Sequence, residues 1–385
     1  MRKILITCMS FAMVALFAVF AMMPQQVVYA AVVDTKDKAS IIMDFYSGEV
    51  VYESNADEKL QVASIVKLMT TLLTIEEIES GNISLTDKIV TSENAASMGG
   101  SQVFIDPFVE YTVEDMLASV IIASANDASV ALSEYLAGSE DNFVKKMNKK
   151  AKELGLTNTI YANATGLPAP EEYSTARDVA LLLKEVIKHD IYHKYSTIWM
   201  DELVHPSGRK TELVNTNKLS RYYKGCDGGK TGFTDEAGYC LTATATRDNM
   251  RFIAVSLGAK DSKTRFSNVT SLLNYAFANF ENKQIINAQN PIKNLELKMG
   301  KDDFADIYAS QDYYVLTQKG DKTEYEITIE LPKSLKAPLQ SNTVVGKAIV
   351  TKEGRVIAEI DLVVKQDYAK LGFKDAFKDV IQNWY

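Results

Sequence analysis

Cysteine and histidine are scarce in this chain, with three of each among 385 residues. Cys8 lies in an apolar N-terminal run, so only Cys226 and Cys240 belong to the bulk of the sequence. Two cysteines make no disulfide framework, and whether they pair stays open at this level. His189, His193 and His205 offer one H-x-x-x-H. It lacks the glutamate of H-E-x-x-H, and no cysteine or carboxylate cluster completes a site. The histidines are expected on a surface helix or loop, and no metal and no cofactor is predicted. Basic residues are outnumbered, 42 against 50 acidic, for a net charge of −8. That balance argues against nucleic acid as a partner. It is compatible with a peptide substrate gripped locally by a few cations.

Only one apolar run is long enough to interact with a bilayer along its length. Arg2 and Lys3 precede Ile4 to Met23, and Val28-Tyr29-Ala30 offers a small-residue cleavage site. This is the pattern of a secretory signal peptide over residues 1–30, with an uncleaved anchor as the alternative. Cys8 falls too early for a lipoprotein cleavage site. The segment holds two basic residues and no acidic one, so its removal takes the net charge to −10.

Three short motifs carry chemistry. They are Ser64-Ile65-Val66-Lys67, Ser124-Ala125-Asn126 and Lys230-Thr231-Gly232. A serine that attacks a carbonyl needs a base, oxyanion donors and, for an anionic substrate, a cation. Each motif alone is weak. S-x-x-K also occurs at Ser207, and S-x-N at Ser80 and Ser92. Context selects among the copies. Ser64 opens an apolar stretch without Gly or Pro, which reads as a buried helix with Ser64 and Lys67 on one face. Ser207 sits in His205-Pro206-Ser207-Gly208, which is turn chemistry, and Ser80-Gly81-Asn82 is also a turn. Ser124 follows the run Met116 to Ala123, where it can project from a helix end into a cleft.

S-x-x-K, S-x-N and K-T-G in this order form the signature of penicillin-binding proteins and class A β-lactamases. The chain resembles the low-molecular-mass penicillin-binding proteins, serine-type D-alanyl-D-alanine carboxypeptidases. The likeness extends to Gly225–Thr234, Ala237–Leu241, Asn163–Leu167, Ser174–Asp178 and Asn215–Leu219. Cys226 departs from it, since the family usually has a small aliphatic residue there. The resemblance implies a five-stranded antiparallel sheet flanked by helices, a β-rich C-terminal domain, and a substrate that is a peptidoglycan stem peptide ending in D-Ala-D-Ala. β-Lactams would act as covalent inhibitors.

It also implies roles. Ser64 would be the nucleophile and Lys67 its base. A buried Lys67 near Lys230 would lose its proton more readily. Asn126 would hold Lys67 and bond the substrate amide, and Ser124 would relay a proton to the leaving D-alanine. Lys230 and Thr231 would hold the substrate carboxylate, with Gly232 allowing close backbone approach. The backbone N–H groups of Ser64 and Phe233 would form the oxyanion hole, and Arg265 would be a second cation. A class A β-lactamase is the nearest rival, but no E-x-x-L-N lies between Ser124 and Lys230; Glu171 and Glu172 lead into Tyr173-Ser174-Thr175 instead. A β-lactam sensor that does not turn over is another alternative.

The expected fold class is α+β, a penicillin-binding/β-lactamase-like domain with an antiparallel sheet flanked by helices. The expected divisions are a signal peptide (1–30), a catalytic domain (31–284), a β-rich domain (285–365) and an amphipathic helix (366–385). Within the β-rich part, Glu324 to Glu330 alternates with period two, and Lys347 to Val364 reads as a hairpin turning at Glu353-Gly354. In the last segment Phe373, Phe377, Val380, Ile381 and Trp384 share one helical face. That face predicts either packing on its own domain or attachment to a membrane surface. The expected location is the outer face of the bacterial cytoplasmic membrane, held peripherally.

Overall fold

A computed structural model describes residues 33–372. The predicted signal segment 1–30 and the apolar face from Phe373 to Trp384 lie outside the described residues. Among the described residues no helix is long and apolar enough to cross a membrane.

The apolar runs on either side of Ser47-Gly48 form strands β1 (Ala39–Asp44) and β2 (Val50–Ser54). The Asp44 carboxylate closes their turn, accepting from the Ser47 N–H and hydroxyl at 2.7 Å each. The other strands of this sheet come from the far side of a helical region: β3 (Cys226–Thr234), β4 (Gly238–Arg247) and β5 (Met250–Ala259). The sheet is antiparallel in the order β2-β1-β5-β4-β3. The strand bearing Lys230-Thr231-Gly232 is therefore an edge. Between β4 and β5, Asp248 and Asn249 both take positive φ, 49° and 59°. Asx residues tolerate that region, and its twist suits a tight hairpin.

The helices that matter to the site are α1 (Lys67–Glu79), α2 (Val113–Ile122), α3 (Asn126–Ala137), α4 (Glu140–Glu153), α5 (Ala176–Val186) and α6 (Ser262–Asn279). Thr112 starts α2 through a capping box, its hydroxyl accepting from the Asp115 N–H while the Asp115 carboxylate accepts from the Thr112 N–H. Every residue of α1 from Lys67 to Ile75 is buried, because α2, α3 and α5 pack around it. The sheet is covered on both faces. Ile41 and Met43 of β1 face the large helical core with Ile253 and Val255. The alternate residues face α6, where the Phe252 and Phe277 rings pack edge to face at 5.1 Å and the Asn268 amide donates to Ser256. Burial on both faces makes these strands nearly continuous in apolar residues, without the alternation of a half-exposed sheet.

Beyond α6, β6 (Phe280–Ile286) pairs with Tyr313–Gln318. A separate six-stranded sheet runs Tyr325–Glu330, Val344–Lys352, Arg355–Val364, Phe304–Ala309, Lys293–Lys298, Leu335–Lys336. Its core holds Ala305, Ile307, Val350, Leu362 and Val364. The expected hairpin is present, with Lys352 opposite Arg355 across Glu353-Gly354.

Two expectations are corrected. Residues 366–372 are extended and do not begin a helix. Tyr368 bridges Leu339, is 4% exposed within the β core, and its hydroxyl accepts from the Asp306 N–H at 3.1 Å. Lys370 bridges Gly300, and the Leu371 N–H donates to Met299. A buried aromatic ring and paired backbone hold this stretch to the β sheet. His205 is not at the surface: it is buried, hydrogen-bonded to the Tyr111 hydroxyl and Thr211. Cys226 and Cys240 are free and buried. Among the described residues no group of three His, Cys, Asp or Glu side chains could hold a metal.

Candidate active site

Ser64 lies in one turn of 3-10 helix, Ala63–Val66, that runs directly into α1. Ala63 takes a positive φ of 49° to make the entry. That conformation is strained for a residue with a Cβ. Its support is Gly166, whose φ is 77° and where a Cβ would stand 2.0 Å from the Ala63 carbonyl oxygen. Only glycine meets both the conformation and the contact. The same loop reaches further in. Lys67, wholly buried, donates from Nζ to Ser64 Oγ at 2.8 Å and to the Thr165 carbonyl at 2.6 Å. Burial holds its pKa well below the ordinary lysine range, and the nearby Lys230 cation adds to the shift. Glu172 and Asp127 oppose it. A lysine so placed is a base within reach of the serine proton.

A second serine–lysine pair faces the first. Ser124, at φ 62° between α2 and α3, accepts from Lys230 Nζ at 2.6 Å. Lys230 also donates to the Thr231 carbonyl at 3.1 Å. Its pKa is depressed to about 7, first by burial and then by Arg265. Among the described residues both lysines donate to hydroxyls and carbonyls and neither reaches a carboxylate.

Asn126 differs from expectation. It does not bond Lys67; its Nδ2 donates to the Gly99 carbonyl at 2.6 Å. The Thr165 carbonyl takes the place expected for it beside Lys67. Asn126 Oδ1 is buried without a partner. The next residue, Asp127, accepts from the N–H groups of Val103 and Ile105, which fixes the loop in front of α3.

The edge strand β3 presses against the serine turn. A Cβ on Gly232 would stand 2.5 Å from the Val62 carbonyl oxygen and 3.2 Å from the Ser64 nitrogen. Its constraint is space, not backbone conformation. Thr231 donates to Thr216 at 2.8 Å. Phe233 is half exposed, its ring 4.3 Å from that of Tyr239. Arg265, on α6, donates from Nη1 to the carbonyls of Gly232 (2.9 Å) and Cys240 (3.3 Å), and its Nε is buried without a partner. It therefore stands against the strand that carries Lys230 and adds positive charge there.

Motif reasoning assigned no role to Thr165, Gly166, Thr216 or Glu172. The Asn163–Leu167 and Asn215–Leu219 segments marked their neighbourhoods, but a backbone carbonyl has no side-chain signature. The buried Asn217 amide, donating to the Gly228 carbonyl at 3.2 Å, ties the second segment to β3.

A serine bonded to a buried lysine, a second serine–lysine pair and a cationic strand edge define an active-serine acyl-transfer site of the penicillin-binding class. Comparison with known proteins takes this one step further. The family model described as D-alanyl-D-alanine carboxypeptidase matches residues 25–261, and that of the penicillin-binding protein 5 C-terminal domain matches 280–370. The chain belongs to the D-alanyl-D-alanine carboxypeptidase family. It is 40% identical to the D-alanyl-D-alanine carboxypeptidase DacF of Bacillus subtilis strain 168, over 100% of this chain and 99% of that protein. It is 36% identical to DacC of Escherichia coli K12, over 94% and 91%. The crystal structure of penicillin binding protein 5 from Haemophilus influenzae superposes with a TM-score of 0.68 at 32% identity, covering 88% of this chain and 98% of that one.

The fit of β3 against the serine turn generates a prediction. Gly232→Ala should force strand and turn apart, at a cost of roughly 1–3 kcal/mol in stability. Because the displaced atoms include the Ser64 N–H, acylation by a fluorescent penicillin should slow by about tenfold or more. A variant that labels within twofold of wild type would show that this contact does not set the geometry.

Proposed function

We propose that this chain is a serine-type D-alanyl-D-alanine carboxypeptidase that removes the terminal D-alanine of peptidoglycan stem peptides through an acyl-enzyme on Ser64. The observation that carries the reading is the Lys67–Ser64 hydrogen bond, made by a buried lysine whose other partner is a carbonyl and not a carboxylate. Lys67 as free amine takes the Ser64 proton while Oγ bonds to the carbonyl carbon of the penultimate D-alanine. The Ser64 and Phe233 N–H groups receive the developing oxyanion. Ser124 relays to the departing amine the proton that Lys67 took from Ser64, which restores Lys67 as free amine and leaves Lys230 charged. Water then cleaves the ester and restores Ser64. Lys230 and Thr231 hold the substrate carboxylate, with Arg265 supplying charge alongside them. The unpartnered Asn126 Oδ1 is an acceptor for a substrate amide N–H. A β-lactam carries the same carbonyl and carboxylate, so it acylates the same serine and blocks it.

The rest of the chain supports work outside the cytoplasm. Residues 1–30 act as an export signal, 31–284 as the catalytic domain and 285–365 as the body of a β domain. The apolar face from Phe373 to Trp384 attaches the enzyme to the outer face of the membrane.

Ser64→Ala should abolish both D-alanine release from a D-Ala-D-Ala peptide and the penicillin mass adduct, without unfolding. An adduct on the variant, or one mapped to Ser207, sinks the assignment.

Lys230→Ala should lose about 1.5–3 kcal/mol on peptides with a free C-terminal carboxylate, roughly ten- to hundredfold in kcat/KM. Amide-capped peptides should lose far less. With the Lys230 pKa lowered to about 7, its cation is present below that pH and is lost above it. The KM of wild type for carboxylate peptides should therefore rise from pH 7 to 9, more than for amide-capped ones. Equal losses on both peptides contradict the clamp.

A chain ending at Gly372 should keep its melting temperature and activity but stop co-sedimenting with liposomes of anionic lipid. One ending at Asp367 lacks Tyr368 and should lose about 3 kcal/mol or more in the β domain. A full-length protein that ignores liposomes rules out the membrane role.

A further inference from the structure

The loop whose carbonyl holds Lys67 is anchored by a carboxyl outside the three motifs. Glu172 is 4% exposed, in the segment between the Thr165 loop and α5. Its Oε2 accepts from the Ala162 N–H at 3.2 Å. Beside it, Glu140 of α4 accepts from the Ala164 N–H at 2.9 Å. Asn163 Oδ1 takes the N–H groups of Thr165 and Gly166 at 2.9 and 2.7 Å. The 162–166 loop thus hangs from two carboxyls and an amide oxygen. From that suspension the Thr165 carbonyl meets Lys67 Nζ at 2.6 Å.

We propose that Glu172 is a positioning residue for acylation: it fixes the loop whose carbonyl holds Lys67, and its ionisation sets how much of Lys67 is free amine. The proposal rests on Lys67 being the base.

Two charged groups act on Glu172, Lys67 from α1 and Glu140 from α4, while Glu172 in turn adds to the burial that keeps the Tyr161 phenol neutral. Lys67 lowers the Glu172 pKa and Glu140 raises it, but burial dominates and brings it to about 7. The coupling is mutual, since an ionised Glu172 raises the Lys67 pKa. Protonated Glu172 puts no negative charge opposite Lys67, and the amine releases its proton more easily. Ionised Glu172 favours the ammonium, which cannot act as a base. Replacing the carboxyl by an amide keeps an acceptor for Ala162 and removes the charge. Replacing it by alanine removes both.

The test measures the rate of acylation by a fluorescent penicillin from pH 5 to 9 in wild type, Glu172→Gln and Glu172→Ala, with thermal melts over the same range. Below about pH 7, where Glu172 of wild type is protonated, Glu172→Gln and wild type should acylate alike; above it, where Glu172 ionises and favours the Lys67 ammonium, Glu172→Gln should be faster, by up to about tenfold. Glu172→Ala should have a lower plateau than Glu172→Gln, because the loop loses its acceptor. The melts read the carboxyl directly. Its folded pKa is raised, so its contribution to stability is full at acid pH and is lost as pH rises through about 7. Wild type should therefore lose melting temperature relative to Glu172→Gln between pH 5 and 8. If the Glu172→Gln and wild-type rates also superimpose from pH 7 to 9 while both are folded, the proposal is overturned. A wild type that takes no label at any pH overturns the reading of the site itself, and this proposal with it.

Discussion

A lysine with no carboxylate to pair with, wholly inside the protein, is the constraint on which this site depends. Removing an ammonium from water is costly, and the cost is relieved when the group gives up its proton. Lys67 is held in that condition by the packing of α2, α3 and α5 around α1, so the core that stabilises the domain also prepares the base. The carbonyl of Thr165 and the hydroxyl of Ser64 leave it hydrogen-bonded. A carboxylate in either position would restore the charge. Stability and reactivity are therefore coupled through one side chain.

The serine is placed by backbone, from two sides. Gly166 lies under the strained Ala63, and Gly232 brings the edge strand up to Val62 and Ser64. Being an edge strand, β3 has one side unpaired by the sheet, where an extended peptide can lie. The cations follow the same geometry. Lys230 comes from the strand, and Arg265 from α6 braces the Gly232 carbonyl. Their mutual repulsion, added to burial, weakens the hold of Lys230 on its proton until an anion arrives.

Much of this was legible in the residues. The i, i+3 spacing of Ser64 and Lys67 in an apolar run placed them together, and the turn residues around Ser207 removed its competitor. Period-two alternation gave the strand Tyr325–Glu330, and the Glu353-Gly354 turn gave the last hairpin. What could not be read has a common cause. The partner of Lys67 is the Thr165 carbonyl, a backbone atom common to every residue type. The resemblance put Asn126 beside Lys67, but the Gly99 carbonyl claims its amide. Tyr368 was counted with the terminal helix because its core partners, such as Leu339, lie in other strands. Local pattern reports such long-range partners only as an unplaced aromatic.

The central claim is that Lys67 is a free amine when Ser64 reacts. A 13C NMR titration of protein labelled at lysine Cε tests it most directly, with Lys67→Arg identifying the resonance by its loss. The account predicts that the Lys67 resonance titrates well below the ordinary lysine value of about 10.4, as that of Lys230 also does. A Lys67 resonance that titrates together with the surface lysines would contradict it.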